Sequence, residues 1–146
     1  MILGVVSLSG ILLVRDIMTR NIKTVRMGDS VHDAALKMNK FNIGSVIVTN
    51  NGRPVGIITE RNVLDRIVVP RLDADIVRAK DIMSSPLISV DIHTAVDEAA
   101  QIMAKKKIKK LPVIDEGKVI GVVSTSDIVR SNPTQIGILE ELLRVS

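Results

Sequence analysis

The sequence has no cysteine, tryptophan or tyrosine, and only one phenylalanine among its 146 residues. The absence of cysteine excludes disulfide scaffolds, thiolate zinc sites, iron–sulfur clusters and cysteine nucleophiles. The near absence of aromatic side chains argues against the base-stacking platforms of many nucleic-acid-binding proteins. Because 46% of the residues are hydrophobic and 25% are charged, we expect a folded globular protein whose core is aliphatic.

The charged residues are nearly balanced, with 20 Lys and Arg against 16 Asp and Glu. Five lysines lie within the six residues 105–110. We interpret Lys105–Lys107 as the solvated end of a helix, where cations complement the negative end of the helix dipole. A single short basic stretch without aromatic residues argues against nucleic acid as a partner.

The first 14 residues carry no charge and are mostly apolar. They are too short to cross a bilayer, and glycine and serine residues interrupt them. This pattern favours a strand or cap over an apolar face. We therefore expect a cytoplasmic protein without a membrane span.

The sequence repeats itself at an offset of 65 residues. The alignment starts with Asp16-Ile17-Met18 on Asp81-Ile82-Met83 and runs without a gap for 49 pairs. Thirteen pairs are identical, where ordinary residue frequencies give about three by chance. The repeat predicts a duplicated structural unit.

Each copy is predicted to fold in the order β-α-β-β-α. Apolar residues at i, i+3, i+4 and i+7 mark one face of the first helix. This helix is expected to start at Ser30 or Thr94, because an aspartate follows each hydroxyl three residues later. Two β-branched runs around a short turn that contains glycine predict a hairpin, and a second helix should begin near Thr59 or Ser124.

The repeat also gives domain boundaries. We assign an N-terminal segment to 1–13, a first repeat to 14–66, a linker to 67–78, a second repeat to 79–131 and a C-terminal helix to 132–146. Neither copy alone is expected to be large enough to close its own core.

Two such copies resemble a tandem pair of CBS domains, the family named after cystathionine β-synthase. The resemblance rests on Gly-Ile-Ile-Thr-Glu-Arg-Asn-Val-Leu from Gly56, on Gly-Val-Val-Ser-Thr-Ser-Asp-Ile-Val from Gly121, and on Ile-Lys-Lys-Leu-Pro-Val-Ile-Asp from Ile108. It implies an α/β (α+β) fold in which two β-α-β-β-α CBS repeats pack about a pseudo-twofold axis.

The resemblance also implies a regulatory function. In this family the clefts between the repeats commonly hold AMP, ADP or ATP, and some members hold S-adenosylmethionine or a dinucleotide such as NAD(H). The pair senses its ligand and adjusts an associated enzyme or transporter without performing catalysis. We expect an adenine nucleotide, foremost AMP, as the ligand, with no cofactor, and a client that the sequence does not identify.

Ser124 and Asp127 have a spacing suited to ribose. A hydroxyl followed three residues later by a carboxylate lies on one helical turn, where the carboxylate can accept hydrogen bonds from two vicinal hydroxyls. The same pair can also simply cap the helix. The first copy has Thr59 and Asn62 instead, and an amide holds two hydroxyls less well than a carboxylate. The two clefts are therefore predicted to be unequal.

The resemblance assigns further residues to each cleft by position. The main cleft is expected to contain Asn21, Ile22, Lys23, Ile43, Gly44, Ser45, Lys109, Ser124 and Asp127. The weaker cleft is expected to contain Thr59, Asn62, Pro86, Leu87, Ile88, Ile108 and Lys110. The aliphatic members would cover the adenine, although core packing explains them equally well. Lys109 and Lys110 would reach the phosphates.

Other classes of function find little support. The sequence has no phosphate loop, no dinucleotide-binding glycine motif and no nucleophile elbow, so we do not expect an enzyme. His32 and His93 have no partner at metal-ligand spacing and are interpreted as solvated. The alternative is a structural or interaction protein whose clefts bind no nucleotide.

Apolar residues at both ends of the chain predict a homodimer. Met1–Val14 and the helix face formed by Ile138, Leu139, Leu142 and Leu143 supply more apolar surface than a small protein readily hides. The resemblance implies that two tandem pairs would then form a flat disc of four repeats.

Overall fold

The computed structural model describes residues 11–131. The predicted C-terminal helix and most of the N-terminal segment thus lie outside the described residues. The chain divides into two compact units. Residues 21–88 form the first-repeat unit, and residues 11–20 together with 89–131 form the described part of the second-repeat unit.

The order of elements confirms the predicted β-α-β-β-α repeat. In chain order they are α1 (Val14–Ile17), β1 (Thr24–Arg26), α2 (Val31–Phe41), β2 (Ser45–Asn50), β3 (Arg53–Thr59), α3 (Glu60–Val63), a π-helix (Leu64–Val68), α4 (Ala79–Ile82), β4 (Val90–Asp91), α5 (Val96–Lys106), β5 (Lys110–Asp115), β6 (Lys118–Ser124) and α6 (Thr125–Ser131). The strands β1 and β4 are short, with three and two residues.

Each unit contains one three-stranded sheet, in the order β1-β2-β3 or β4-β5-β6. The first two strands are parallel and the last two are antiparallel. Parallel neighbours need a crossover, which α2 and α5 provide. The hairpin turns place Asn51 and Gly52 at φ of 51° and 81°, and Glu116 and Gly117 at 51° and 77°. These left-handed conformations confirm the predicted tight hairpins.

The core of each unit lies between its sheet and its crossover helix. The buried helix residues belong to the predicted apolar face: Val31, Ala34, Met38, Val96, Ala99 and Met103. Ala35 and Ala100, the i+4 positions of that face, are half-buried. The buried helix residues pack against strand residues such as Val25, Val48 and Ile58 in the first-repeat unit and Val90, Val113 and Val123 in the second-repeat unit. The period of 3.6 residues therefore predicted the buried side of both helices.

The start of α5 differs from the prediction. In α2 the Ser30 hydroxyl accepts a hydrogen bond from the Asp33 N–H at 3.0 Å, as expected of an N-cap. In α5 the N-cap is Ala95 rather than Thr94, and no side chain caps the helix. A distant backbone carbonyl binds the first N–H of both helices, Val77 for Val31 at 3.0 Å and Leu12 for Val96 at 2.9 Å. The prediction for Thr94 was wrong because the N-cap position falls on Ala95, which stands at the repeat position of Ser30 and has no side-chain oxygen.

The repeated Asp-Ile-Met string forms a one-turn helix in each unit. Asp16 and Asp81 accept hydrogen bonds from the N–H groups of Leu13 and Arg78, at 2.9 and 3.0 Å, and so close the turn. Helix α1 belongs to the unit that holds the second repeat, and α4 belongs to the unit that holds the first. Each structural unit therefore combines one repeat with the opening string of the other.

The residue after each string extends the adjoining sheet. Thr19 and Val122 exchange backbone hydrogen bonds of 2.9 and 3.0 Å, and Ser84 and Ile57 exchange bonds of 2.8 and 3.1 Å. These pairings fix the two strings against β6 and β3. Within residues 11–131, no helix is long and apolar enough to cross a membrane.

Candidate functional site

Four predicted site residues meet at one end of the sheet in the second-repeat unit. Strand β6 ends at Ser124, which pairs across the hairpin with Lys110 at the start of β5. The Thr125 N–H donates to the Lys109 carbonyl at 3.0 Å, so Lys109 adjoins the first turn of α6. Asp127 lies in that turn. We name this group the Asp127 end.

Asp127 is a buried carboxylate with defined partners. Its side chain is 6% exposed. One carboxylate oxygen, Oδ2, accepts the Ser124 N–H at 2.8 Å, while the Ser124 hydroxyl accepts the Asp127 N–H at 3.1 Å. This reciprocal pair caps α6, so the capping interpretation of these residues is confirmed. The cap uses Oδ2 only, so Oδ1 can accept a hydrogen bond from another group.

The second oxygen of Asp127, Oδ1, accepts a short hydrogen bond from Nη2 of Arg130. The Arg130 side chain is 70% exposed, so its guanidinium approaches the buried carboxylate from solvent. Arg130 was not predicted as a site residue. Its spacing of three residues from Asp127 on a helix was the signal that could have identified it.

The equivalent end of the sheet in the first-repeat unit contains predicted site residues at the start of β2, at the end of β3 and at the start of α3. Ser45 at the start of β2 pairs with Thr59 at the end of β3. The Glu60 N–H donates to the Gly44 carbonyl at 3.2 Å, and the Ile47 N–H donates to the Lys23 carbonyl at 2.9 Å. Gly44, Ser45, Thr59 and Glu60 thus adjoin one another, and Lys23 lies beside β2, at what we name the Asn62 end.

Asn62 caps its helix as Asp127 does, but its remaining polar group is a donor. The Thr59 N–H donates to Asn62 Oδ1 at 2.8 Å, and the Asn62 N–H donates to the Thr59 hydroxyl at 3.2 Å. The Asn62 amide nitrogen then donates to the Ser84 hydroxyl at 3.1 Å. A buried amide that donates in this position offers no second acceptor oxygen, so the two copies differ in this polar group, and the inequality of the two clefts stays a prediction.

The ionised residues at the two ends also differ. Gly44 and Ser45 occupy the repeat positions of Lys109 and Lys110, and Asp65 occupies the position of Arg130. Asp65 forms an ion pair with Arg61 at 3.0 Å on the exposed side of its helix. The Asp127 end therefore carries an excess of cations, and the Asn62 end does not, so the former suits an anionic ligand better.

The predicted adenine-covering residues are only half-buried. Ile22, Ile43, Leu87 and Ile108 all retain partial exposure, whereas Pro86 and Ile88 are exposed. Ile43 and Ile108 pack against the edges of the two cores. Of the residues predicted for the main cleft, Asn21, Ile22, Lys23, Ile43, Gly44 and Ser45 lie in the first-repeat unit, and Lys109, Ser124 and Asp127 lie in the second-repeat unit. The full ligand sets remain predictions.

A surface depression of about 400 Å³ lies beside the Asn62 end. Its lining residues are Ala35, Met38, Asn39, Asn42, Ile43, Gly44, Glu60 and Val63. The Glu60 carboxylate makes it unfavourable for phosphate. In the described range 11–131, no group of histidine, aspartate and glutamate residues could hold a metal ion.

These units have the architecture of a duplicated α+β module whose sheet ends present helix-capping residues. A family model described as CBS domain matches residues 14–69 and 79–133. The chain therefore belongs to the CBS domain family and carries two CBS domains in tandem.

Similar proteins support this assignment. An uncharacterized protein of Methanopyrus kandleri is 36% identical over 133 residues, which cover 90% of this chain and 68% of that protein. A conserved CBS domain protein of unknown function from Thermoplasma acidophilum matches with a TM-score of 0.81 and 27% identity, covering 92% of this chain and 77% of that chain. A putative signal-transduction protein with CBS domains from Burkholderia ambifaria matches with a TM-score of 0.72 and 33% identity. The match covers 77% of this chain and 82% of that chain.

Proposed function

We propose that this chain is a regulatory module that binds an adenine nucleotide, foremost AMP, and thereby adjusts a partner enzyme or transporter. The observation that carries the proposal is the buried Asp127 carboxylate, fixed at a sheet end that also presents lysines. A carboxylate is the group that best accepts two vicinal ribose hydroxyls, and neighbouring cations suit a phosphate. The putative signal-transduction protein of Burkholderia ambifaria agrees with a signalling role.

The ligand is expected to lie mainly at the Asp127 end. There the ribose hydroxyls would bind Asp127, and Lys109 would contact the phosphate. The Asn62 end, which lacks the carboxylate, would bind a second ligand weakly if at all.

Comparison of AMP with adenosine tests this proposal by isothermal titration calorimetry. We expect one dominant site, weaker binding of adenosine than of AMP, and a loss of AMP affinity with added salt, because the phosphate adds an electrostatic contribution. Lys109→Ala should lower AMP affinity about tenfold, the usual cost of one charge-assisted hydrogen bond, and leave adenosine almost unchanged. Equal binding of AMP and adenosine by the unmodified protein would contradict a phosphate contact, and no binding of either would contradict the proposed function.

We also propose that the protein is a homodimer. Five large apolar residues of the first-repeat unit are exposed within residues 64–76, namely Leu64, Val68, Val69, Leu72 and Ile76. A patch of this kind normally has a partner, and a second copy of the chain would cover the same patch on both subunits. This patch adds to the apolar ends of the sequence, which the structure does not describe.

Light scattering at micromolar concentration measures the oligomeric state directly. We expect twice the chain mass of 15.9 kDa. The double variant Val68→Glu and Val69→Glu should shift the protein towards monomer, because two charges would be buried without partners in the contact. A monomeric unmodified protein would overturn the dimer, and a dimer that survives the double variant would place the contact elsewhere.

A further inference from the structure

The oxygen of Asp127 that would receive the ribose hydroxyls already has a partner in the structure. Oδ2 is held by the Ser124 N–H in the helix cap, and Oδ1 is held by Arg130. A carboxylate engaged on both oxygens retains further lone pairs, but Oδ1 is already bonded to the guanidinium of a side chain that is 70% exposed. A ligand that approaches from solvent must therefore compete with Arg130 for this oxygen.

Arg130 is placed to move without disturbing the fold. Its side chain is 70% exposed, whereas the Asp127 side chain is 6% exposed. The exposed guanidinium returns to water when it leaves Oδ1, and the incoming ribose hydroxyls give the buried carboxylate replacement hydrogen bonds. The cap, in which Ser124 bonds to Oδ2 and to the backbone N–H of Asp127, does not involve Arg130 and stays in place when Arg130 leaves.

A displaced Arg130 would have a second use next to the same site. Lys109 adjoins the first turn of α6, where the Thr125 N–H donates to its carbonyl. Arg130 lies one turn further along this helix. A guanidinium is an effective phosphate ligand, because its planar fork donates two parallel hydrogen bonds to one group.

The other repeat lacks this arrangement. Asp65 stands at the position of Arg130, and its partner is Arg61 rather than the capping residue Asn62. The Asn62 amide donates to Ser84. Competition between an arginine and a ligand for a buried carboxylate therefore belongs to the Asp127 end alone, among the residues that the structure describes.

We infer that Arg130 is a selectivity residue that favours phosphorylated nucleotides over nucleosides at the Asp127 end. The inference rests on the proposed nucleotide function. Adenosine must displace the guanidinium from Asp127 and carries no phosphate to which the guanidinium could then bind. A nucleotide displaces it in the same way but supplies a phosphate to which the released guanidinium binds. Arg130 thus lowers the affinity for adenosine and raises the affinity for AMP.

The variant Arg130→Gln tests this inference through changes of opposite sign. We expect adenosine to bind about threefold more tightly, because the competitor for Oδ1 is weakened, and AMP to bind about fivefold more weakly, because a phosphate ligand is lost. The ratio of the AMP affinity to the adenosine affinity should therefore fall about fifteenfold. Calorimetric titration of both ligands gives the two numbers, and thermal unfolding establishes that the variant is folded.

Lys118→Gln provides a matched control. Lys118 is an exposed cation at the start of β6, and Ser124 is at the far end of the same strand. A strand of this length keeps its ends about 20 Å apart. The control removes the same charge from the same unit, and both affinities should stay within twofold of those of the unmodified protein.

The possible results separate this inference from the proposed function. If the unmodified protein binds AMP but Arg130→Gln shifts both ligands in the same direction, or shifts neither, Arg130 is not a selectivity residue and the nucleotide function stands. If the unmodified protein binds neither ligand, the proposed function and this inference both fall. If Lys118→Gln lowered the ratio of AMP affinity to adenosine affinity as much as Arg130→Gln does, the inference would also be overturned. Such a result would show only a general effect of charge.

Discussion

Replacement of Asp127 by asparagine is expected to lower the affinity for AMP about ten- to hundredfold and to leave the fold intact. The loss follows because an ionised acceptor of ribose hydrogen bonds becomes a neutral amide, and hydrogen bonds to charged groups contribute about 1.5 to 3 kcal/mol. The effect should appear for adenosine as well as AMP, because both carry the ribose. Calorimetric titration measures both affinities.

The structure itself indicates that this variant will fold. In the other repeat Asn62 already occupies the equivalent position, and its Oδ1 accepts the Thr59 N–H at 2.8 Å, the same distance that Asp127 Oδ2 has from the Ser124 nitrogen. Asparagine can therefore keep the cap of α6. Asp127→Ala would be a poorer test, because it removes the cap and costs about 1 kcal/mol of stability as well.

Asp115→Asn is a suitable control for the loss of one negative charge. Asp115 ends β5, whereas Lys110 at the Asp127 end begins the same strand. We expect its AMP affinity to match that of the unmodified protein. If Asp127→Asn bound AMP as tightly as the control did, Asp127 would have only its capping role and the ribose assignment would be wrong.

The sequence predicted the elements well because local rules determine most of them. Periodic apolar residues gave the buried faces of α2 and α5, and the short turns with Gly52 and Gly117 gave both hairpins. The start of α5 was predicted one residue early, because Thr94 has the hydroxyl-to-acid spacing, whereas the N-cap is Ala95, at the repeat position of Ser30. The backbone partner of the first N–H of α5, the Leu12 carbonyl, lies more than 80 residues earlier, and no local pattern identifies it.

The candidate site was predicted in part for a similar reason. Ser124 and Asp127 are recognisable from their spacing, and the difference between Asp127 and Asn62 is visible in the repeat alignment. Arg130 was missed because a basic residue near the end of a helix has an ordinary explanation in the helix dipole. Only the contact with the buried carboxylate gives Arg130 a role at the site.

The pairing of repeats with the opposite Asp-Ile-Met string also lies beyond the sequence pattern. The alignment shows that the string and the two glycines Gly56 and Gly121 recur together, but not that they meet. In the structure Met83 lies against Gly56, and Met18 lies against Gly121. The repeated glycine and the repeated methionine therefore contact each other in each unit.

That contact predicts a large loss of stability for Gly121→Ala. A Cβ at this position would lie 2.5 Å from Met18 Sδ and 3.0 Å from the Thr19 carbonyl oxygen. The thioether can move aside, but the Thr19 carbonyl is held by the Val122 N–H at 3.0 Å. We expect the free energy of unfolding to fall by about 1 to 3 kcal/mol, the usual cost of overpacking a core. Gly56→Ala should behave in the same way, because its Cβ would lie 2.9 Å from the Ser84 carbonyl oxygen.

Gly28→Ala is the matched control for this prediction, since an added Cβ there would have no neighbour within 4 Å. Neither Gly28 nor Gly121 has a positive φ, so alanine strains the backbone at neither position and only the space around Cβ differs. Gly28→Ala should leave stability unchanged or raise it by up to about 1 kcal/mol, because alanine restricts the unfolded chain. Urea unfolding of the three variants gives the comparison. If Gly121→Ala were as stable as Gly28→Ala, β6 and the Asp-Ile-Met string would not be in close contact. The repeated glycine would then need another explanation.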